Sequence, residues 1–208
     1  EHWAELIEEH EITLWDTVPA VLGMLVEYLE SKKIKQTGIG LRLAMMSGDW
    51  IPLDLPGRIK NQWPELEVIS LGGATEASIW SIFHRIYRVE DSWKSIPYGK
   101  PLANQTFHVL NRAMVPCSPG IQGQLYIGGI GLAREYWRDS SKTSASFIIN
   151  PKTGERLYKT GDLARMRKDG AIEYLGRIDS QVKIRGFRIE LGEIESCIEC
   201  QKEVKQAV

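Results

Sequence analysis

Residues 1–71 alternate between two hydrophobic periods, and this alternation restricts the possible fold more than any other feature of the chain. Trp3, Leu6 and Ile7 share one helical face, and a short apolar stretch at residues 12–15 follows. Over residues 19–29, Val21, Leu22, Leu25, Val26 and Leu29 recur at spacings of three and four, which predicts a helix. Pro19 suits its first turn, where no backbone donor is needed. A strand is then expected at 41–46, a helix at 55–63 and a strand at 67–71. Strand, helix, strand, helix, strand implies βαβ units and a parallel sheet. Right-handed crossovers put the strand C-termini on one edge, where open α/β sheets usually bind ligands.

The texture changes after about residue 79. Turn signals crowd together at Tyr98-Gly99, Pro119-Gly120, Gly128-Gly129 and Lys168-Asp169-Gly170. Residues 124–127 and 171–175 read as strands, with 168–170 as a hairpin turn. This half is expected to be antiparallel and barrel-like or mixed. No repeat of fixed period occurs, and the best candidate boundary is the polar stretch at 176–180. The net charge of −1 over 208 residues shows no basic footprint for nucleic acid. No apolar run approaches the ~20 residues needed to span a bilayer, so no membrane partner is expected. Three cysteines are too few for a disulfide framework, and a reducing cytoplasmic setting is expected. Cys197 and Cys200 form a C-x-x-C pair without a second pair to complete a zinc site, so they read as ordinary helix residues. The start, Glu1-His2-Trp3, reads as the interior of a longer protein.

Four segments carry possible chemistry. In Leu71-Gly72-Gly73-Ala74-Thr75-Glu76 a strand runs into two glycines, a hydroxyl and a carboxylate. Closely approaching backbone N–H groups and the hydroxyl suit phosphate oxygens, and the carboxylate suits Mg²⁺. The same residues also read as a plain turn with Thr75 as a helix N-cap. Gly128-Gly129-Ile130-Gly131 follows a strand, but Glu135 stands where a dinucleotide fingerprint needs its last glycine, so a structural turn is expected. Asp162, in Tyr158-Lys159-Thr160-Gly161-Asp162, reads either as a turn residue or as a ribose-binding carboxylate. Residues 176–195 place Arg177, Lys183, Arg185 and Arg188 on a strand-like run before an acidic helix start. Those cations suit phosphates or a solvated face equally well. No P-loop pattern is present.

Taken in order, residues 71–76, 123–134, 158–163 and 176–195 resemble successive core motifs of the adenylate-forming superfamily. The run Gln-Val-Lys-Ile-Arg-Gly-Phe-Arg-Ile-Glu-Leu-Gly-Glu-Ile-Glu resembles peptide synthetase adenylation domains more than acyl-CoA ligases. The resemblance implies an α/β fold: the back half of a large N-terminal domain (βαβ sheet plus distorted barrel) over 1–178. The start of a small, mobile C-terminal α+β domain would occupy 179–208. It implies ATP and Mg²⁺ as cosubstrate and cofactor. Gly72, Gly73, Ala74 and Thr75 would lie along the nucleotide, with Thr75 on the phosphates and Glu76 on the metal. Asp162 would hold the ribose hydroxyls, Tyr174 would lie near the adenine, and Arg177 and Arg188 would contact ribose or phosphate. Asp179 would be the hinge, and Gly186 would belong to the loop used for thioester formation. The catalytic lysine motif is expected downstream and the Ser/Thr/Gly-rich phosphate loop upstream.

The resemblance further implies an amino-acid pocket lined by Asp16, Met45, Ser47, Leu71, Ile79 and Trp80. For Met45, Leu71 and Ile79 ordinary core packing is an equal reading. The bulk of Trp80 favours a small side chain, and the set resembles pockets for cysteine, with glycine next, although Asp16 stands where asparagine is expected. Partners would be the amino acid, a carrier domain bearing phosphopantetheine, and condensation or cyclisation domains. A CoA ligase fragment or a non-catalytic remnant are the alternatives. Two further departures are Gly72, where the family usually has an aromatic residue, and Ala74, where it has proline. An adenine would therefore lose one stacking surface. The 208 residues alone are expected to catalyse no ATP–pyrophosphate exchange, and clear exchange by the isolated chain would contradict this.

Overall fold

The computed structural model describes residues 1–34, 40–179, 181–184, 187–189, 191–201 and 204, without the side chains at 183, 184, 188, 193, 196 and 199. The N-terminal part follows the expected alternation. Helix α1 (His2–Glu9) leads to strand β1 (Leu14–Thr17), helix α2 (Pro19–Ser31) to β2 (Leu43–Met46), and α3 (Leu55–Gln62) to β3 (Glu67–Gly72). Pro19 lies in the first turn of α2. Strands β1, β2 and β3 pair in parallel, with Asp16, Met45 and Ile69 in one register row. Two antiparallel strands, β4 (Ile82–Arg85) and β5 (Lys100–Pro101), complete a five-stranded sheet in the order β1-β2-β3-β4-β5.

The spacing in α2 buries Leu22, Leu25, Val26 and Leu29 completely or nearly so. They pack with Ile7 of α1, Leu55 and Ile59 of α3, and Ala44, Met46 and Val68 of the sheet. Burying each such side chain contributes roughly 1.5–3 kcal/mol, which anchors the helices to one sheet face.

The second sheet is antiparallel, as the turn density implied. Strands β6 (Gln105–Leu110), β7 (Gln122–Gly129), β9 (Arg156–Met166) and β10 (Ile172–Arg177) lie in the order β10-β9-β7-β6. A short β8 (Phe147–Ile149) pairs with β9 after helix α4 (Ser140–Ser146). Asp139 caps α4 by accepting from the Lys142 N–H at 2.8 Å. The turn at 168–170 joins β9 to β10, with Gly170 at φ +80°. Beyond it lie a small hairpin, β11 (Val182–Ile184) with β12 (Phe187–Ile189), and helix α5 (Leu191–Glu199), which carries the exposed Cys197. Among the described residues no helix is long and apolar enough to cross a membrane, and no cluster of three metal-ligating side chains occurs.

Two of the alternative readings fall away. Asp162 is not a turn residue: residues 158–163 are the middle of the long strand β9. Its register against β7 jumps from Tyr126↔Lys159 to Gln124↔Leu163, so Thr160, Gly161 and Asp162 face Leu125 alone. Gly161, at φ +79°, makes this bulge possible. The Thr160 hydroxyl donates to the Leu125 carbonyl and accepts from the Asp162 N–H, replacing ladder bonds. Second, Thr75 does not cap a helix. Ala74 precedes a single 3₁₀ turn, Thr75–Ala77.

The two sheets meet at Gly99. Its N–H donates to the Ile172 carbonyl at 3.1 Å, and its carbonyl accepts from the Ile172 N–H at 2.7 Å. Around this bridge Ile82 packs with Val109, Leu125, Ala164 and Ile172. Gly99 has φ +109°, and a Cβ there would overlap the Phe83 carbonyl. Gly99→Ala should therefore destabilise the fold by about 3 kcal/mol or more. An unchanged urea midpoint would contradict the close approach.

Candidate functional site

The carboxyl ends of β2 and β3 face the bulge of β9 and the end of β10. Between them lies a cavity of about 620 Å³, within the ~300–1,000 Å³ common for small-molecule sites. One wall is the loop after β2, from Ser47 to Ile51. Another is the stretch from Ser70 to Thr75, with Ile79 and Trp80. The third comprises Thr160, Asp162, Tyr174, Gly176 and Arg177, continuing to Asp179, Gln181 and Val182.

The glycines at the end of β3 have different causes. Gly73 has φ +145°, and a Cβ there would lie 2.5 Å from the Ile79 carbonyl oxygen. Its N–H donates to the Tyr98 hydroxyl at 2.7 Å, so this amide is engaged within the protein. Gly72 leaves room for the ring of Tyr98, which a Cβ at 72 would overlap. The loop then folds back tightly. The Ile79 N–H donates to the Ala74 carbonyl, and the buried Ser81 hydroxyl donates to the Ala77 carbonyl. Ser78 and Ile79 both adopt positive φ, which is strained for a β-branched residue, and Ile79 is left 65% exposed.

Arg177 organises the opposite wall. Its Nη1 donates to Asp162 Oδ1 at 3.0 Å and to the Thr160 carbonyl at 3.2 Å. Its Nε and Nη2 make a bidentate pair with Asp179, both bonds at 2.6 Å. Gly161 permits this, because a Cβ there would stand 2.6 Å from Arg177 Nη2. The Asp179 pair, opposed by burial and aided by Asp162, keeps Arg177 cationic well beyond its usual range. The guanidinium thus ties the bulge of β9 to the segment after β10.

Aromatic rings link these walls. Tyr174 lies 5.0 Å from Trp50 and 5.9 Å from Tyr98, centroid to centroid. The Tyr98 hydroxyl accepts from the Gly73 N–H, and the residue as a whole is half-buried and lines the cavity. Burial, and next the charge of Asp162, raise both phenols, Tyr174 to about 12.

Of the residues singled out in the sequence, the cavity gathers Gly72, Gly73, Ala74, Thr75, Asp162, Tyr174, Arg177 and Asp179, and also Ser47, Leu71, Ile79 and Trp80. Glu76 is not on its lining. It is 7% exposed, and its Oε1 accepts from the Tyr136 hydroxyl at 2.6 Å. Asp16 and Met45 are also off the lining. They are register partners, and Met45 lies two residues before Ser47 on β2. Asp16 is exposed, yet partial desolvation raises its carboxyl. Gly186 and the Arg188 side chain lie outside the described residues. Sequence reasoning missed Asp49, Trp50 and Tyr98. Tyr98 carried one signal, its place before Gly99, which reads only as a turn.

Comparison with known proteins agrees with this arrangement. A family model described as AMP-binding enzyme matches residues 1–137. Bacitracin synthase 1 of Bacillus licheniformis is 51% identical over 98% of this chain and 4% of its own length. The nonribosomal peptide synthetase FmoA3, solved with α-methyl-L-serine-AMP bound, superposes with a TM-score of 0.80 at 45% identity, over 93% of this chain and 21% of its own. PA1221, a nonribosomal peptide synthetase protein with adenylation and PCP domains, gives 0.87 at 28% identity, over 97% and 35%. The chain spans a small part of each.

The enclosed phenols generate a prediction. A raised tyrosine pKa stabilises the fold fully below the unfolded value near 10, and that contribution is lost as pH rises through the folded value near 12. Ultraviolet absorbance titration of the chain and of Tyr174→Phe should show that the lost phenol ionises near pH 12. A missing step at the ordinary value near 10 would contradict the enclosure.

Proposed function

The chain belongs to the AMP-binding enzyme family, and we propose that it is the nucleotide-facing part of an adenylation domain in a nonribosomal peptide synthetase. The observation that carries this reading is the cavity between the sheets. It draws Gly72–Thr75, Asp162, Tyr174 and Arg177 together from three separate stretches of the chain.

In this reading the amino-acid carboxylate oxygen attacks the α-phosphorus of ATP. A carboxyl–phosphate bond forms, the α–β anhydride bond breaks, and pyrophosphate leaves with the electron pair. The chain's part is positioning and charge compensation. The Thr75 hydroxyl, on the cavity wall, contacts the phosphates. Asp162, oriented by Arg177, accepts from the ribose hydroxyls, and Arg177 reaches ribose or phosphate. Tyr174 stands beside the adenine. Mg²⁺ with ATP needs only one or two protein carboxylates, and would offset charge on the phosphates. Glu76 would hold that ion: it follows Thr75 of the cavity wall, and a buried carboxylate is stabilised by a cation beside it.

In the second half-reaction a phosphopantetheine thiol of a carrier domain attacks the acyl carbon. The thioester forms, AMP leaves and the thiol proton is released. Asp179 is the hinge for that change, with Gly186 in the loop that serves it and Arg188 as a further nucleotide contact. The bidentate pair between Arg177 and Asp179 supports a hinge held in one position until it is released. The superposition on PA1221, which contains adenylation and PCP domains, supports a carrier partner. Condensation or cyclisation domains complete the proposed set.

The substrate proposed is a small amino acid, cysteine first and glycine next. The bulk of Trp80, which lines the cavity with Ser47, Leu71 and Ile79, supports a small side chain, while Asp16 and Met45 are off the lining.

In the full-length protein, Asp162→Ala should lower ATP–pyrophosphate exchange about tenfold or more, mainly through the KM for ATP, because hydrogen bonds to a charged group are lost. Unchanged exchange would remove Asp162 from the site. In a panel of amino acids, L-cysteine should drive exchange most strongly, and a bulky aromatic substrate winning would overturn the pocket assignment.

A further inference from the structure

We infer that the ring of Tyr98 is the aromatic wall on which the purine base packs, seated in the space that a side chain at position 72 would take. The inference rests on the nucleotide reading above and adds a residue that the motifs do not contain.

Gly72 and Gly73 show why. Gly73 needs glycine for its backbone, since its φ is positive and its Cβ would meet main-chain atoms. Gly72 has no positive φ. What a Cβ there would strike is the Tyr98 ring, at Cε2, Cζ and Cδ2. An aromatic side chain at 72 and the observed Tyr98 therefore exclude each other. The surface absent at Gly72 is supplied by the segment that precedes β5.

The ring is held from several sides. Its hydroxyl accepts from the Gly73 N–H at 2.7 Å. Phe107 meets it edge-on at 6.2 Å and 81°, and Tyr174 lies tilted at 5.9 Å. Trp50 extends the row beyond Tyr174. Three rings thus form one side of the cavity, while Thr75, Asp162 and Arg177 supply its polar surface. A nucleotide has the same division: a flat base with π faces, and a sugar-phosphate with hydroxyls and negative charge. Stacking suits the first, and cations and hydrogen-bonding groups suit the second. Tyr98 stays neutral, because burial raises its phenol, so no charge is set against the base.

The test uses the full-length protein, with calorimetric binding of ATP and of inorganic tripolyphosphate, and the amino-acid KM in pyrophosphate exchange. Tyr98→Leu should weaken ATP binding about tenfold, and leave tripolyphosphate binding and the amino-acid KM unchanged. Gly72→Ala should reproduce that pattern by displacing the ring. The exchanged pair Gly72→Tyr/Tyr98→Gly should bind ATP within about threefold of the parent protein. If Tyr98→Leu does not fold, the exchanged pair decides, and a tenfold loss in it overturns the inference. Unchanged ATP affinity in Tyr98→Leu, an equal loss of ATP and tripolyphosphate, or a loss confined to the amino acid each overturns it as well. A parent protein that binds no ATP refutes the nucleotide reading itself, a different result from any of these.

Discussion

Gly99 exchanges two backbone hydrogen bonds with Ile172 while its Cα lies against the Phe83 carbonyl, and this bridge fixes the distance between the two sheets. The cavity is a consequence of that approach. Strands β3 and β10 end on its two sides, and Tyr98, adjacent to Gly99, projects into the gap beside Gly72. A wider separation would part Tyr98 from Tyr174. A closer one would leave no room for a ligand. Backbone geometry at one glycine therefore sets the dimensions of a site built mostly from other residues.

A second constraint is the bulge in β9. A regular strand would continue its ladder through residues 160–162. Instead Thr160 satisfies the displaced backbone with its own side chain, and Gly161 makes way for Arg177. Arg177 then holds Asp162 on one side and Asp179 on the other. Through one guanidinium, a carboxylate facing the proposed ribose position is linked to the proposed hinge. Loss of that link would change both ends together, which suits the two proposed half-reactions.

Much of the first sheet was legible because its signals are local. The spacing of Leu22, Leu25, Val26 and Leu29 specifies α2 without reference to anything else, and Pro19 marks its start. The antiparallel half was legible as a density of turns and as two of its strands, at 124–127 and 171–175. Its long strand β9 was hidden, because Gly161 and Asp162 look like a turn when the partner strand β7 is unknown. The cavity lining was legible where a motif is contiguous, at residues 71–75 and at Gly176, Arg177 and Asp179. It was illegible where contacts are made across the sheets. Nothing in Ile-Pro-Tyr-Gly announces that Tyr98 fills the space at Gly72, and nothing in Glu76 announces that Tyr136 donates to it.

The central claim is that a nucleotide base lies against Tyr98 and Tyr174 in the cavity between the sheets. Photolabelling the full-length protein with an ATP analogue that carries an azide on its base, followed by peptide mapping, tests it most directly. The label should fall on the peptides containing Tyr98, Tyr174 or Trp50, and excess ATP should suppress it. Labelling confined to peptides remote from these rings, or labelling that ATP does not suppress, would contradict the account.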